Sequence, residues 1–447
     1  MTHIALAAPG LDRFQLHFRL RRELLRKGHR ITIICLDAAD ATFWRQQVDE
    51  KEVAAFSHLG IHAAATRWCE QDLPDLLVLH RDRRRIAREF AATVRSFGAR
   101  VLWTGDGLLP HTMQCDERGL DADAGCLQFG AADYRCVAPD RDLIAASLAH
   151  ALAAPWPTTL PASPITKPAL RQRLVDAARS LLTANPRRAL RDLNGWREAE
   201  GGALPIDAQT KRLTADELPQ PCVAVLLQAP EDPRLALDGK PSSRAKPESA
   251  TELMAAACRL AEAIGTRLGV TCGVVAIPAA AARNTATDEA NALRRLKAQL
   301  RQQRLAAVRI VARRHAAQVA ATAACVVTVN DPAAVTALLA GTPIVHTGRA
   351  LFALPGLTTR IARAREIAAS AEFCLQRDRP ALRRRFLTWL FRHGHVWCSP
   401  DAPHYNGMLG LVEAIERRLV APPGEHPLRP GYLPGPAWPL ATARSAR

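Results

Sequence analysis

Residues 326–358 read VVTVNDPAAVTALLAGTPIVHTGRALFALPGLT, and this stretch decides the fold. Val326, Val327, Thr328 and Val329 make a β-branched run suited to a buried strand. Asn330, Asp331 and Pro332 supply capping side chains and a first-turn proline, so a helix is expected over 333–340 and closed by Gly341. Residues 342–346 then read as the next strand. Strand, helix and strand in this order form a βαβ unit, whose helix N-terminus stands at the carboxyl edge of a parallel sheet. Its free N–H groups can hold an anion such as a nucleotide phosphate, although a purely structural turn reads the same way.

The same alternation extends outward. Before this unit, strands are expected at 3–8, 31–36, 76–79 and 101–104, with helices at 13–27 (closed by Gly28), 81–97 and 141–153. Pro155, Pro157, Pro161, Pro164 and Pro168 then rule out a continuous helix or central strand and mark a linker, followed by polar helical sequence over 169–200. A second series has strands at 222–227, 270–277 and 308–311, with helices at 251–267, 288–305 and 313–323. The expected fold is α/β and GT-B-like: two Rossmann-like domains facing each other across a cleft. Their boundaries fall at 1–154 and 221–405, with a Pro-rich and helical connector over 155–220. Residues 406–447 read as a C-terminal helix and a Pro-rich tail, disordered or loosely docked from 421 onward.

With 447 residues, 48% of them hydrophobic, the chain can build two cores. Its 60 Lys and Arg against 43 Asp and Glu give a net charge of +17, which favours anionic partners such as phospholipid, acidic glycan or nucleotide. Runs such as Arg383, Arg384 and Arg385 also read as ordinary solvated helix faces. Eleven cysteines, with no C-x-x-C pair, suit a reduced compartment. No apolar span reaches the roughly 18 residues of a membrane helix, and the first residues enter a strand without a leader pattern. The expected location is cytoplasmic, peripheral at the inner membrane. Nucleic acid is not an expected partner, since aromatics make up 5% of the chain and no binding motif occurs.

Several blocks carry a resemblance. They are Thr104-Gly-Asp-Gly-Leu-Leu-Pro110, Arg118-Gly-Leu-Asp-Ala-Asp123, Val225-Leu-Leu-Gln228 with Asp232, Val327-Thr-Val-Asn330, Ala337-Leu-Leu-Ala-Gly-Thr-Pro343, Gly348-Arg-Ala-Leu-Phe352 and Leu354-Pro-Gly-Leu-Thr358, with a looser block over 389–405. In this order they resemble the signature of the bacterial capsule polysaccharide biosynthesis and export proteins, in particular the S-type β-Kdo glycosyltransferases. The resemblance implies an acceptor-binding first domain and a nucleotide-sugar-binding second one. It also implies a CMP-Kdo donor, an anionic phospholipid acceptor such as phosphatidylglycerol or its lyso form, no cofactor, and other capsule synthesis and export proteins as partners.

The site residues follow from it. Asp106 lies between Gly105 and Gly107 at the end of an apolar strand, which by itself also describes a tight Asp-Gly turn. The resemblance puts it on the family's acidic motif, with the role of transient nucleophile in a retaining double displacement. Gly105, Gly107, Asp121 and Asp123 would line the same cleft. Gln228, Asp232, His315, Asn330 and Arg349 are the candidates for binding the nucleotide. Two phosphate contacts depart from the family's pattern: Ile277 stands before Pro278 where a histidine is expected, and Asp331-Pro332 replaces a hydroxyl pair. Either Arg313, Arg314, His315 or Arg349 takes over the phosphate, or the donor site has decayed and the chain is a non-catalytic homologue that binds glycan or partner enzymes. His393, His395 and His404 have no carboxylate or cysteine at ligand spacing, so no metal is expected. G-x-G-x-x-G, Walker and G-x-S-x-G motifs are absent, which removes the readings that need them.

Overall fold

The computed structural model describes residues 1–7, 14–36, 38–57, 60–80, 85–154, 156, 218–228, 250–279, 308–361, 364–376, 379–399 and 405–420. The expected linker apart from Trp156 and residues 218–220, the polar helical stretch over 169–200, the helix over 288–305, Asp232 and the tail from 421 lie outside these residues.

The first half contains β1 (His3–Ala7), α1 (Phe14–Arg26), β2 (Arg30–Cys35), α2 (Ala38–Arg45), β3 (Val53–Ala55), α3 (Ile61–Asp72), β4 (Leu76–His80), α4 (Arg85–Ser96), β5 (Arg100–Asp106), β6 (Met113–Asp116) and α5 (Arg141–Ala153). The second contains β7 (Cys222–Leu226), α6 (Ala250–Leu268), β8 (Gly273–Ile277), β9 (Val308–Ile310), α7 (Ala316–Thr322), β10 (Cys325–Thr328), α8 (Ala334–Ala340), β11 (Ile344–His346), β12 (Thr358–Arg360), α9 (Ala371–Leu375) and α10 (Pro380–His393). The chain then forms β13 (His395–Val396) and α11 (Tyr405–Val420).

The sheet orders are β13-β6-β5-β4-β1-β2-β3 and β12-β11-β10-β7-β8-β9. The second sheet is parallel throughout. Its strand order reverses between β7 and β10, as in a doubly wound nucleotide-binding fold. The first sheet has five parallel strands, with the reversal between β1 and β4, and then adds β6 antiparallel to β5 and β13 antiparallel to β6. Two Rossmann-like domains in a GT-B-like α/β arrangement are therefore present. Parallel strands are covered on both faces, which explains why His3–Ala7, Leu76–His80 and Cys222–Leu226 are buried at every position.

Three features depart from the sequence reading. Strand β5 runs through Asp106 instead of stopping at Thr104, because β6 pairs with it, Asp106 opposite Met113. Helix α5, expected to close the first half, packs on α8 and α10 of the second. Its Leu143, Ile144 and Ala151 share one core with Leu338, Phe386 and Leu390. Strand β13 joins the first sheet, and α11 buries Met408, Leu411, Val412 and Ile415 against β1, β2 and α1. The stretch 221–405 thus gives its last strand to the first sheet.

Candidate functional site

Gly107–Thr112 link β5 to β6, and this hairpin is held in place by burial and by one histidine. Leu108 and Leu109 are buried in the core shared by the two halves, each worth roughly 1.5–3 kcal/mol. The Leu108 N–H donates to His395 Nε2 at 3.0 Å, and His395 Nδ1–H donates to the Leu390 carbonyl at 3.1 Å. Both ring nitrogens are thus committed. Burial pushes the His395 pKa down to about 4, so the ring is neutral, as an acceptor at Nε2 must be. A Cβ on Gly107 would lie 2.9 Å from the His395 ring, so glycine allows the approach. The second member of the His393/His395 pair is therefore a positioning group for the segment after Asp106. Among the described residues no cluster of three or more His, Cys, Asp or Glu side chains could hold a metal.

The loop after β6 folds back over β5. Asp116 is buried and accepts from the N–H groups of Arg118 (2.7 Å), Gly119 (3.1 Å) and Gly125 (2.9 Å), which shapes the turn. Desolvation nevertheless raises its pKa to about 6, the three donors pulling the other way. Leu120 then lies on the face of Gly105, where a Cβ would approach its Cδ1 to 2.6 Å. Asp121 takes up a left-handed φ of 50° and donates its N–H to Gln114 Oε1 at 3.1 Å. Gln114 pairs with Gly105 across the ladder, so Asp121 sits beside the strand end that carries Asp106. A non-glycine residue in this conformation is strained, and Asp tolerates it better than most. Nothing in the local sequence marks Asp116 or Gln114 as organisers, because their partners are backbone groups and a neighbouring strand.

In the second half, Gln228 and Asn330 follow β7 and β10, the strands between which the order reverses. Ligands of such sheets bind in the crevice at this point. Here the two side chains bond each other: Gln228 Nε2–H donates to Asn330 Oδ1 at 2.6 Å, and the Asn330 N–H donates to Gln228 Oε1 at 2.9 Å. Asn330 Nδ2–H also reaches the Arg349 carbonyl at 3.3 Å. The Arg349 side chain extends to the first half, its Nη2 standing 3.7 Å from Asp123 Oδ1, while Arg88 Nη2 is 3.7 Å from Asp123 Oδ2. The structure thus links Gln228, Asn330, Arg349 and Asp123 in one chain of contacts.

His315, Arg313 and Asp331 are placed differently. His315 is 7% exposed, and its ring contacts Gln318 Oε1 at 3.1 Å and Arg314 Nε at 3.2 Å. His315 is thus enclosed and not a surface residue. Arg313 is buried and faces Asp331 side-on, Nη1 to Oδ2 at 2.7 Å and Nη2 to Oδ1 at 2.9 Å. Asp331 Oδ1 also accepts from the Ala333 N–H at 2.9 Å. A carboxylate of the chain itself therefore stands at the start of α8, already neutralised by the guanidinium that was a candidate for the phosphate. His346 is likewise enclosed: Nδ1–H donates to the Gly348 carbonyl at 2.8 Å and Nε2 accepts from Thr358 at 3.2 Å. Burial lowers its pKa to about 4.

The fold and these contacts define a class: a GT-B-like protein of two Rossmann-like halves, with the carboxylate-bearing edge of the first joined to an arginine of the second. No family model and no curated protein sequence matches the chain. Among solved structures, its path is similar to that of the KpsC β-Kdo 2,7 transferase of Thermosulfurimonas dismutans, with 12% identity over 94% of this chain and 99% of that one, TM-score 0.36. It is also similar to the β-Kdo 2,4 transferase of the same KpsC (12% identity, 92% and 98% covered, TM-score 0.36). MurG of Acinetobacter baumannii gives 10% identity, 93% and 100% coverage and a TM-score of 0.30.

Proposed function

We propose that this chain is a retaining glycosyltransferase that moves β-Kdo from CMP-Kdo to a phospholipid-type acceptor, as the first step of a capsule glycolipid. The observation that supports the reading is the contact between Arg349 and Asp123, two residues after Asp121, whose N–H bonds to Gln114 on the strand paired with the end of β5. In this reading the Asp106 carboxylate attacks the anomeric carbon and CMP leaves. An acceptor hydroxyl then displaces the carboxylate, and two inversions give net retention. Arg349 would stabilise the departing phosphate, in place of a ligand at the start of α8. Work at the cytoplasmic face of an anionic membrane, beside other capsule synthesis and export proteins, would suit the charge of +17. Among the described residues no helix is long and apolar enough to cross a membrane.

The buried Arg313–Asp331 pair favours a second reading, in which the donor site has degenerated and the chain binds glycan or a partner enzyme of capsule assembly. Titration calorimetry with CMP and CMP-Kdo separates the two. Under the enzyme reading both bind saturably, Arg349→Ala weakens them, and Kdo is transferred to phosphatidylglycerol or its lyso form. Absence of CMP-Kdo binding at millimolar concentration would sink the enzyme reading and leave the second.

A further inference from the structure

Cys325 is the first residue of β10, an interior strand of the second sheet, and Cys374 lies on α9. Both belong to the core that this sheet shares with α6, together with Val223, Val327, Leu260 and Ala371, and α9 packs directly on α6. Inside that core the two thiols meet: Cys374 Sγ–H donates to Cys325 Sγ at 3.0 Å. Both are free. A disulfide holds its sulfurs about 2 Å apart, so the pair stands about 1 Å from bonding distance.

Buried cysteines usually serve as small hydrophobes and stay inert. This pair differs in that each thiol has the other as its neighbour, and the two are not equivalent. Cys374 is 7% exposed and Cys325 0%. Burial, and then the contact with Cys374, push the Cys325 thiol well above its ordinary range and keep it protonated. A small oxidant therefore meets Cys374 first, with Cys325 beside it as the resolving thiol. Helix α9 has five residues, so closing the last ångström displaces one short helix and leaves the sheet in place.

We propose that Cys325 and Cys374 form a site of reversible oxidation, at which a peroxide converts the pair into a disulfide that fastens α9 to the start of β10. The Cys374 sulfur attacks one oxygen of hydrogen peroxide and the O–O bond breaks. The sulfur becomes a sulfenic acid and the other oxygen leaves as water. The Cys325 sulfur then displaces the sulfenic hydroxyl, which takes up the Cys325 proton and leaves as a second water. Two thiols are oxidised by two electrons and one peroxide is reduced, giving one disulfide and two waters. An external thiol reverses the bond by exchange. The bond closes a loop of roughly 50 residues that contains α8, β11, Asn330 and Arg349. It is independent of the donor proposed for that segment.

The test treats the full chain with hydrogen peroxide, alkylates the remaining thiols under denaturing conditions, and maps the peptides by mass spectrometry without reductant. The exposed Cys136 reports the dose. A peptide pair joining 325 to 374 is expected, two hydrogens lighter than its parts and lost on reduction with dithiothreitol. The thermal midpoint should rise by roughly 5–15 °C on oxidation, since the link removes freedom from the unfolded chain, and return on reduction. Cys374→Ala should lose both the link and the rise, and Cys136→Ser should keep both. Three results would overturn the proposal: Cys325 and Cys374 both recovered alkylated when Cys136 is fully oxidised, either of them linked to Cys272 or Cys258 instead, or a linked chain that melts no higher than the reduced one. The peptide map of the wild type decides the pairing even where Cys374→Ala does not fold.

Discussion

Replacing Asp331 by Asn tests whether the start of α8 is a closed structural joint or a latent anion site. Arg313 is 4% exposed and Asp331 2%, and their side-on pair is the only ion pair that either residue makes among the described residues. Asn keeps the bond from the Ala333 N–H but removes the charge, leaving a buried guanidinium without its counter-ion. Such a loss costs about 3–5 kcal/mol, whereas replacing both partners by groups of similar size is often close to neutral. At about 2–4 °C per kcal/mol for domains of this size, Asp331→Asn should lower the thermal midpoint by roughly 6–20 °C, and adding Arg313→Met should recover most of it. Circular dichroism melts of the intact chain measure both. With Arg313 uncompensated, CMP or phosphate should raise the midpoint of the single variant more than that of the wild type. A single variant that melts within a degree or two of the wild type, or a double variant no better than the single, would refute the argument. The same geometry bears on restoring the hydroxyl pair at 331–332: the serine would strand Arg313, so any gain in CMP affinity should come with a loss of stability.

Three further outcomes are expected. Asp106→Asn should abolish Kdo transfer with an unchanged melting midpoint, and normal turnover would remove Asp106 from the mechanism. His395→Ala, which frees the Leu108 N–H and opens space against Gly107, should cost about 2–4 kcal/mol and lower transfer through misplacement of the hairpin; a kcat equal to that of the wild type would show the hairpin to be irrelevant to the chemistry. The buried His346 and His395 and the half-buried His393, all held near pKa 4 mainly by desolvation, take protons in the unfolded chain from about pH 6.5 downward before they do so in the native one. Stability should therefore fall as pH drops from about 6.5 to 4, by roughly 3 kcal/mol per histidine. Asp116, raised to about 6, works in the opposite sense over an overlapping range, gaining stability as pH falls. Denaturant melts across that interval should show a net loss, and a flat profile would contradict neutral buried imidazoles.

Much of the fold could be read from local pattern. The apolar run at 222–227 reads as a strand, and Cys222–Leu226 forms one; Gly341 reads as the end of a helix, and it closes α8 at φ 90°. Period and capping are properties of neighbouring residues, so they survive without knowledge of the rest of the chain. The position of Asp106 at a strand end and the likeness of Gly348–Phe352 to a known signature were legible for the same reason.

Contacts between distant segments were not. The extension of β5 through Asp106 depends on β6, and β13 reaches that sheet from far along the chain, His395 pairing with Gln114, with nothing local to announce it. Asp331 reads as a helix cap in sequence, and its neutralisation by Arg313 appears only when α7 and α8 pack together. His315 reads as lying near the start of the helix over 313–323, and nothing local announces the burial beside Gln318 that encloses it. The sequence by itself determined the alternation of strands and helices, because period and capping are written within a few consecutive residues. Tertiary structure alone decided which charges are satisfied internally and which meet across the two halves, because the energy of a charge depends on its solvent and its partners, and folding supplies both.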